Sequence, residues 1–241
     1  MIVLLTDFGQ SEYVGVMKGV IYSLHADTRI VDLCHDLALQ SIVEASWILR
    51  NNYRYFPRGA VFCCVVDPGV GTTRKAVAVR TGEYAFVAPD NGLLWETLRE
   101  QEIVSMPELP VPADASRTFH GRDVFARAAA RIDLGQFDEL GAEIETIRKF
   151  ALYRKGREGI VVRIDRFGNI ATNLPPLDKS RYTVTIEGRE RTMPFCPTYE
   201  VAPDNELFLI TGSCNTLEIS LKNNNASERL RTAPGETITI F

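Results

Sequence analysis

The segment Thr118-Phe119-His120-Gly121-Arg122-Asp123 and the segment Asp67-Pro68-Gly69-Val70-Gly71, with Arg74 close behind, offer an imidazole, a carboxylate and a guanidinium beside glycines. The chain holds only three histidines. Three polar groups of different acidity on glycine-bent turns suit a site that holds and polarises a small nucleophile such as water. Gly69 and Gly71 permit backbone angles closed to other residues. His120 stands where a helix is predicted to begin, and free backbone N–H groups at such a start favour anions.

These groups act together only if the chain carries them to one place, and the hydrophobic pattern indicates how it does so. Short apolar strands at 2–5, 30–33, 60–66, 76–80 and 84–88 alternate with helical spacing at 13–25, 43–55, 93–100 and 122–132. This alternation predicts an α/β fold, a mostly parallel sheet with flanking helices. From about residue 156 the rhythm changes to short strands at 160–165, 170–173, 182–186, 207–211, 217–221 and 237–241, with at most one helical turn at 225–230. That pattern predicts a smaller C-terminal antiparallel β-barrel. Residues 150–157 read as a linker, giving an N-terminal α/β domain over 1–153 and a β-barrel domain over 158–241. Ligands of open α/β sheets bind at the carboxyl ends of the strands. Asp7, Asp67 and Asp90 follow predicted strands and are expected to share one rim, although Asp90-Asn91-Gly92 also reads as ordinary turn chemistry.

Composition narrows the function. The chain has 241 residues, 45% of them hydrophobic and 24% charged, with a net charge of −4. These values fit a soluble globular protein and argue against nucleic acid as a partner. Five cysteines form no C-x-x-C pair, and Cys63-Cys64 lie in an apolar run as core residues. With neither a signal peptide nor an apolar stretch of membrane-spanning length, a reduced, cytoplasmic protein away from membranes is expected. Asp7, Asp67, Asp90, His120 and Asp123 could be drawn as a metal cluster, but paired-histidine spacing is missing and Arg74 adds positive charge. No metal is expected, and neither a P-loop nor a dinucleotide fingerprint occurs. His25, closing a helix, is read as structural.

The ordered motifs LLTDFG, YVGVMKG, VDPGVG with TTR, APDNGLL, TFHGRDVFA and DRFGNIATN run from Leu4 to about Asn173. In this order the chain resembles the S-adenosyl-L-methionine hydroxide adenosyltransferases, relatives of the fluorinase and chlorinase enzymes. A looser similarity continues through Gly212-Ser213 and Leu217-Glu218-Ile219. The resemblance implies an enzyme that splits S-adenosyl-L-methionine into adenosine and L-methionine with water or hydroxide, S-adenosyl-L-methionine being substrate and no cofactor being required. It also implies an α/β domain joined to a β-barrel, and a homotrimer with sites between subunits. By position, the water-holding set falls on Asp67, Arg74 and His120, and the ribose-gripping carboxylate on Asp7. Asp165 and Ser213 match the methionine end, Phe167 and Asn169 the adenine end, and Gln40 the ribose wall. Asp67 stands where the halogenating relatives carry tyrosine, and Gly121 where the fluorinase has serine. Cys214-Asn215 and Arg127 depart from the family pattern.

The chemistry so implied is in-line displacement at the ribose 5′ carbon, with methionine leaving as a neutral thioether. Arg74 is expected to stabilise charge on the oxygen, His120 to accept its proton, and Asp67 to orient the pair. A carboxylate beside the pocket repels halide and accepts a hydrogen bond from water. The alternatives are a nucleoside-binding module without turnover and, third, a halogenase.

Overall fold

In the computed structural model, which describes every residue from Met1 to Phe241, the chain divides into two compact units, Met1–Ala151 and Leu152–Phe241. The first unit opens with β1 (Ile2–Thr6), α1 (Glu12–Leu24), β2 (Ile30–Cys34), α2 (Ile42–Asn52) and β3 (Val61–Val65). It continues with β4 (Ala76–Thr81), β5 (Ala85–Pro89), α3 (Trp95–Leu98), β6 (Ile103–Ser105), β7 (Pro107–Leu109), α4 (Ala126–Asp133) and β8 (Ala142–Glu143). The strands form one sheet in the order β2-β1-β3-β5-β4-β7-β8, with β6 on β4. β2, β1, β3 and β5 run parallel. From β4 onward every pairing is antiparallel. The α/β sheet is thus mixed, and its parallel half carries the loops bearing Asp7 and Asp67.

Strands covered on both faces read as unbroken apolar runs, as β1 and β3 do. Alternate side chains go to opposite faces. Leu4 and Cys63 pack with Met17 and Ile21 of α1 and the alanines of α4. Leu5 and Cys64 pack with Ala45 and Leu49 of α2. Burial pushes the Cys63 thiol to about 12, so this cysteine is a packed, unreactive side chain. Ala126, Ala128, Ala129 and Ala130 favour helix and present small, buried side chains to the sheet.

Local structure departs from the sequence pattern in three places. The helix expected over 93–100 is confined to Trp95–Leu98, because Gly92, at φ 98°, and the turn after it use up the first residues. The helix expected over 122–132 begins instead with a π-helical turn, Gly121–Phe125, before α4. β6, β7 and β8 have three, three and two residues, too few to display a period.

The second unit comprises β9 (Glu158–Ile164), β10 (Ile170–Thr172), β11 (Arg181–Ile186), β12 (Arg189–Pro194), β13 (Leu207–Thr211), β14 (Leu217–Leu221), α5 (Ala226–Leu230) and β15 (Thr237–Ile240). The strand order is β12-β11-β15-β9-β10-β14-β13, all antiparallel. Phe195, just past β12, bridges Leu209 of β13, so the end strands meet and the sheet is nearly closed. Val161, Ile170, Tyr182, Val184, Ile219 and Ile238 fill its interior. No helix of the chain is long and apolar enough to cross a membrane.

Candidate active site

Asp7 leaves the end of β1 and Asp67 the end of β3, parallel neighbours in the sheet, so the two carboxylates emerge on one rim. Asp7, Gln40, Asp67 and His120 line a cleft of about 350 Å³ there, with Phe8, Tyr13, Leu39 and Phe119 among its apolar walls. Phe8, Tyr13 and Phe119 pack edge to face or tilted, with ring centres 4.8–6.0 Å apart. Asp90, at the end of β5, shares the rim but not the cleft. Its carboxylate accepts the Arg148 backbone N–H at 2.6 Å, while Asn91 ties the turn to the Val66 carbonyl at 2.8 Å. That turn is structural.

Between β3 and β4 the chain folds into two successive turns, Val70 N–H to Asp67 C=O at 3.2 Å and Thr72 N–H to Gly69 C=O at 3.2 Å. These turns bring Arg74 back onto Asp67. Arg74 Nε donates to both Asp67 carboxylate oxygens, at 2.9 and 3.0 Å, and its Nη2 donates to Oδ2 as well. The same Nη2 lies 2.7 Å from His120 Nδ1. The three side chains are nearly buried, with Arg74 9% and Asp67 6% exposed and His120 4%. Arg74 Nη1 is buried without a hydrogen-bond partner.

Gly71 explains how two loops far apart in sequence come into register. At φ +75°, a Cβ added there would lie 2.2 Å from the Arg117 carbonyl oxygen. The Asp67 turn and the segment leading to His120 therefore touch backbone to backbone, an approach open only to glycine. Asp123 holds the other side of that segment. Its carboxylate accepts the Ser116 N–H at 2.8 Å and pairs with Arg122 at 2.7 Å. The Arg122 hydrogen bond, outweighing the opposing effect of burial, draws the Asp123 carboxyl below its ordinary value. Gly71→Ala is expected to destabilise the chain on the order of 3 kcal/mol through backbone strain and overpacking, with loss of the cleft's geometry. Wild-type stability in urea unfolding would contradict this.

The contact with Arg74 fixes the state of His120. A guanidinium only donates hydrogen bonds, so Nδ1 must carry a lone pair and the neutral ring holds its hydrogen on Nε2. Burial first, and the Arg74 charge next, hold the imidazole below the ordinary histidine value of 6.5, partly opposed by Asp67 and Asp123. A neutral ring with Nδ1 engaged and Nε2 protonated has no site left for an incoming proton. In this arrangement His120 accepts from Arg74 at Nδ1 and presents an Nε2–H as donor.

Asp7 accepts the Gln40 backbone N–H at 2.8 Å, and Gln40 holds a left-handed φ of 61°. The loop is braced by His35, whose carbonyl accepts the Gly9 N–H at 2.8 Å and whose Nδ1 lies 2.8 Å from the Thr6 hydroxyl. His25 closes α1 through a backbone bond to Ile21, and its Nε2 lies 3.5 Å from Asp133 Oδ2, away from the cleft-lining residues. The remaining predicted residues lie in the second unit. Asp165, Phe167 and Asn169 line a separate concavity of about 850 Å³ with Tyr199 and Glu200. Asp165 accepts the N–H groups of Phe167 and Asn169 and the Asn169 side-chain amide, each at 2.9 Å. Phe167 is 71% exposed. Ser213 is exposed in the turn 212–215 and does not line that concavity. Phe8, Tyr13 and Leu39 carried no sequence signal of a role in the cleft, although Phe8 adjoins Asp7.

Comparison with known proteins agrees along the whole chain. Residues 2–141 match the SAM hydroxide adenosyltransferase N-terminal domain and residues 159–239 its C-terminal domain. The chain is 36% identical to the (R)-S-adenosyl-L-methionine hydrolase of Thermus thermophilus, over 98% of each protein. It is 34% identical to the enzyme of that name from Methanocaldococcus jannaschii, over 95% of this chain and 91% of the relative. A fluorinase from Nocardia brasiliensis is more distant, at 27% over 83% of this chain and 82% of its own. The crystal structure of an uncharacterised conserved protein from Thermotoga maritima superposes with a TM-score of 0.91 at 32% identity, covering all of both chains. With both domain models matched in order and hydrolase relatives similar from end to end, the chain belongs to the SAM hydroxide adenosyltransferase family.

Proposed function

We propose that this protein hydrolyses S-adenosyl-L-methionine to adenosine and L-methionine, with the (R)-sulfonium epimer as substrate. Water or hydroxide attacks the ribose 5′ carbon in line with the departing thioether. The observation that carries this reading is the buried Asp67–Arg74–His120 cluster at a cleft also lined by Asp7. Asp7 and Gln40 are assigned to the ribose, Asp165 and Ser213 to the methionine end, and Phe167 and Asn169 to the adenine end. A homotrimer is part of the proposal. The relatives named as hydrolases of the (R) epimer supply the stereochemistry, which left no mark in the sequence.

In this mechanism the carbon–sulfur bond breaks as the carbon–oxygen bond forms, the sulfonium becomes a neutral thioether, and the proton lost by the attacking water passes to bulk solvent. The leaving group needs no acid, so the protein acts on the nucleophile. Arg74 and the His120 Nε2–H donate toward the developing hydroxide, and Asp67, the one acceptor left in the cluster, orients the water. Holding oxygen and carbon in near-attack geometry supplies about 7–11 kcal/mol in well-organised sites.

Halogenation has less support. A Cβ at Gly121 would lie 3.0 Å from the Phe119 ring and 3.2 Å from Met17 Sδ, so a serine there would require both to move. Incubation with each sulfonium epimer in oxygen-18 water, with and without halide, tests the proposal. The expected result is label in the adenosine 5′ hydroxyl from the (R) epimer, unaffected by halide. Binding without adenosine formation would indicate a non-catalytic module, and 5′-halo-adenosine a halogenase; either rejects the proposal.

A further inference from the structure

We propose that the mouth of the second unit's barrel, rimmed by Arg189, Arg191, Arg229 and Arg231, binds a small anion bearing a phosphoryl group. This site is separate from the adenosyl chemistry and independent of it.

The first observation is one of register. β11 and β12 pair Val184 with Arg191, Ile186 with Arg189 and Tyr182 with Met193. Cross-strand partners share a face, and Tyr182, Val184, Ile186 and Met193 belong to the barrel core. Arg189 and Arg191 therefore occupy the core-facing positions of β12, while Glu190 and Thr192 take the outward ones. This is the reverse of the pattern expected for a barrel strand.

The second observation comes from another element. Arg229 lies in α5, and Arg231 follows it in a left-handed conformation at φ 54°, a position that favours glycine or asparagine. Both reach the same small cavity, of about 60 Å³, floored by Val184, Ile186, Met193 and Leu230. Of the lining residues only Glu187 is acidic. The described ion pairs of the chain engage none of the four arginines.

Inward charge on an edge strand deters edge-to-edge pairing, and cations suit a helix C-terminus. The first effect accounts for Arg189 and Arg191 and the second for Arg229 and Arg231, but neither brings the two pairs to one cavity. Four guanidiniums that repel one another in a chain of net charge −4 are relieved by a multivalent oxyanion. Arginine's planar fork matches phosphate oxygens two at a time. The volume admits one phosphoryl-sized group and no nucleoside, so any larger ligand must extend outward.

The test titrates the full chain with inorganic phosphate, glycerol phosphate and acetate by calorimetry, at ionic strength held constant with chloride. Saturable binding of both phosphates is expected, with acetate at least tenfold weaker. The double variant Arg191→Gln/Arg231→Gln should lose at least tenfold in phosphate affinity while keeping its melting temperature and hydrolytic turnover. Glu187→Gln should bind phosphate more tightly, a gain that misfolding cannot mimic. Phosphate binding no better than chloride, acetate binding as tight as phosphate, or unchanged affinity in the double variant would each overturn the proposal.

Discussion

Arg74→Ala is expected to lower turnover by two to three orders of magnitude and stability by about 3–5 kcal/mol. The two losses have different causes. Asp67 is 6% exposed and pairs with Arg74 through both its oxygens, so removing the guanidinium strands a buried carboxylate. On the proposed mechanism turnover falls because a donor to a developing anion in a water-excluded site is worth far more than the same donor in water. The double variant Asp67→Ala/Arg74→Ala separates them, since it leaves no stranded charge. It should recover much of the stability and none of the turnover. Arg74→Lys keeps the charge but loses the fork and the contact with Nδ1, so it should fall between. Urea unfolding and turnover of S-adenosyl-L-methionine measure both quantities. A double variant no more stable than Arg74→Ala would show that the pair does not behave as a buried ion pair.

The residues of this cluster were legible because they lie within a few positions of glycines on turns. Gly71 is required by the close approach of the Arg117 backbone, while a Cβ at Gly121 would press on the Phe119 ring and Met17 Sδ. A close approach of this kind leaves its mark in the residue string. The direction of the hydrogen bonds left none. Which His120 nitrogen carries the hydrogen follows from the contact with Arg74, 46 positions away, and no residue string records it. The apolar pattern identified β1 and β3 as unbroken runs, whose residues are all buried. It failed at β12, where Arg189-Glu190-Arg191-Thr192 has no apolar residue and pairing is imposed by the turn before it. Glu187 and Gly188, at φ 50° and 73°, form the left-handed pair that matches hairpin twist. Asp165, read as the last residue of a strand over 160–165, stands just past β9, and its engagement with Phe167 and Asn169 rests on a short turn over 165–169 that propensity does not resolve.

His120→Asn and His120→Gln should distinguish a hydrogen-bonding imidazole from a proton-accepting one. Asparagine can place an acceptor near the position of Nδ1, and glutamine a donor near that of Nε2. If the ring serves by accepting from Arg74 and donating to the nucleophile, one of the two should retain turnover within about a hundredfold of wild type, whereas loss of a general base costs about 10²–10⁴ in either variant. The pH profile adds a second readout. Only the neutral ring can accept from Arg74, and burial together with that guanidinium depresses its affinity for protons below the ordinary value of 6.5. Wild-type turnover should therefore persist below pH 6.5 and fall on an acid limb set by the lowered value. Stability follows the same sign. Below pH 6.5 the unfolded chain takes up a proton that the folded chain resists, so stability is complete above that pH and declines as pH falls toward the folded value. His120→Asn should remove this component of the decline and flatten the acid limb of turnover. An acid limb unchanged in both variants would assign it to another group and remove the argument that His120 must stay neutral.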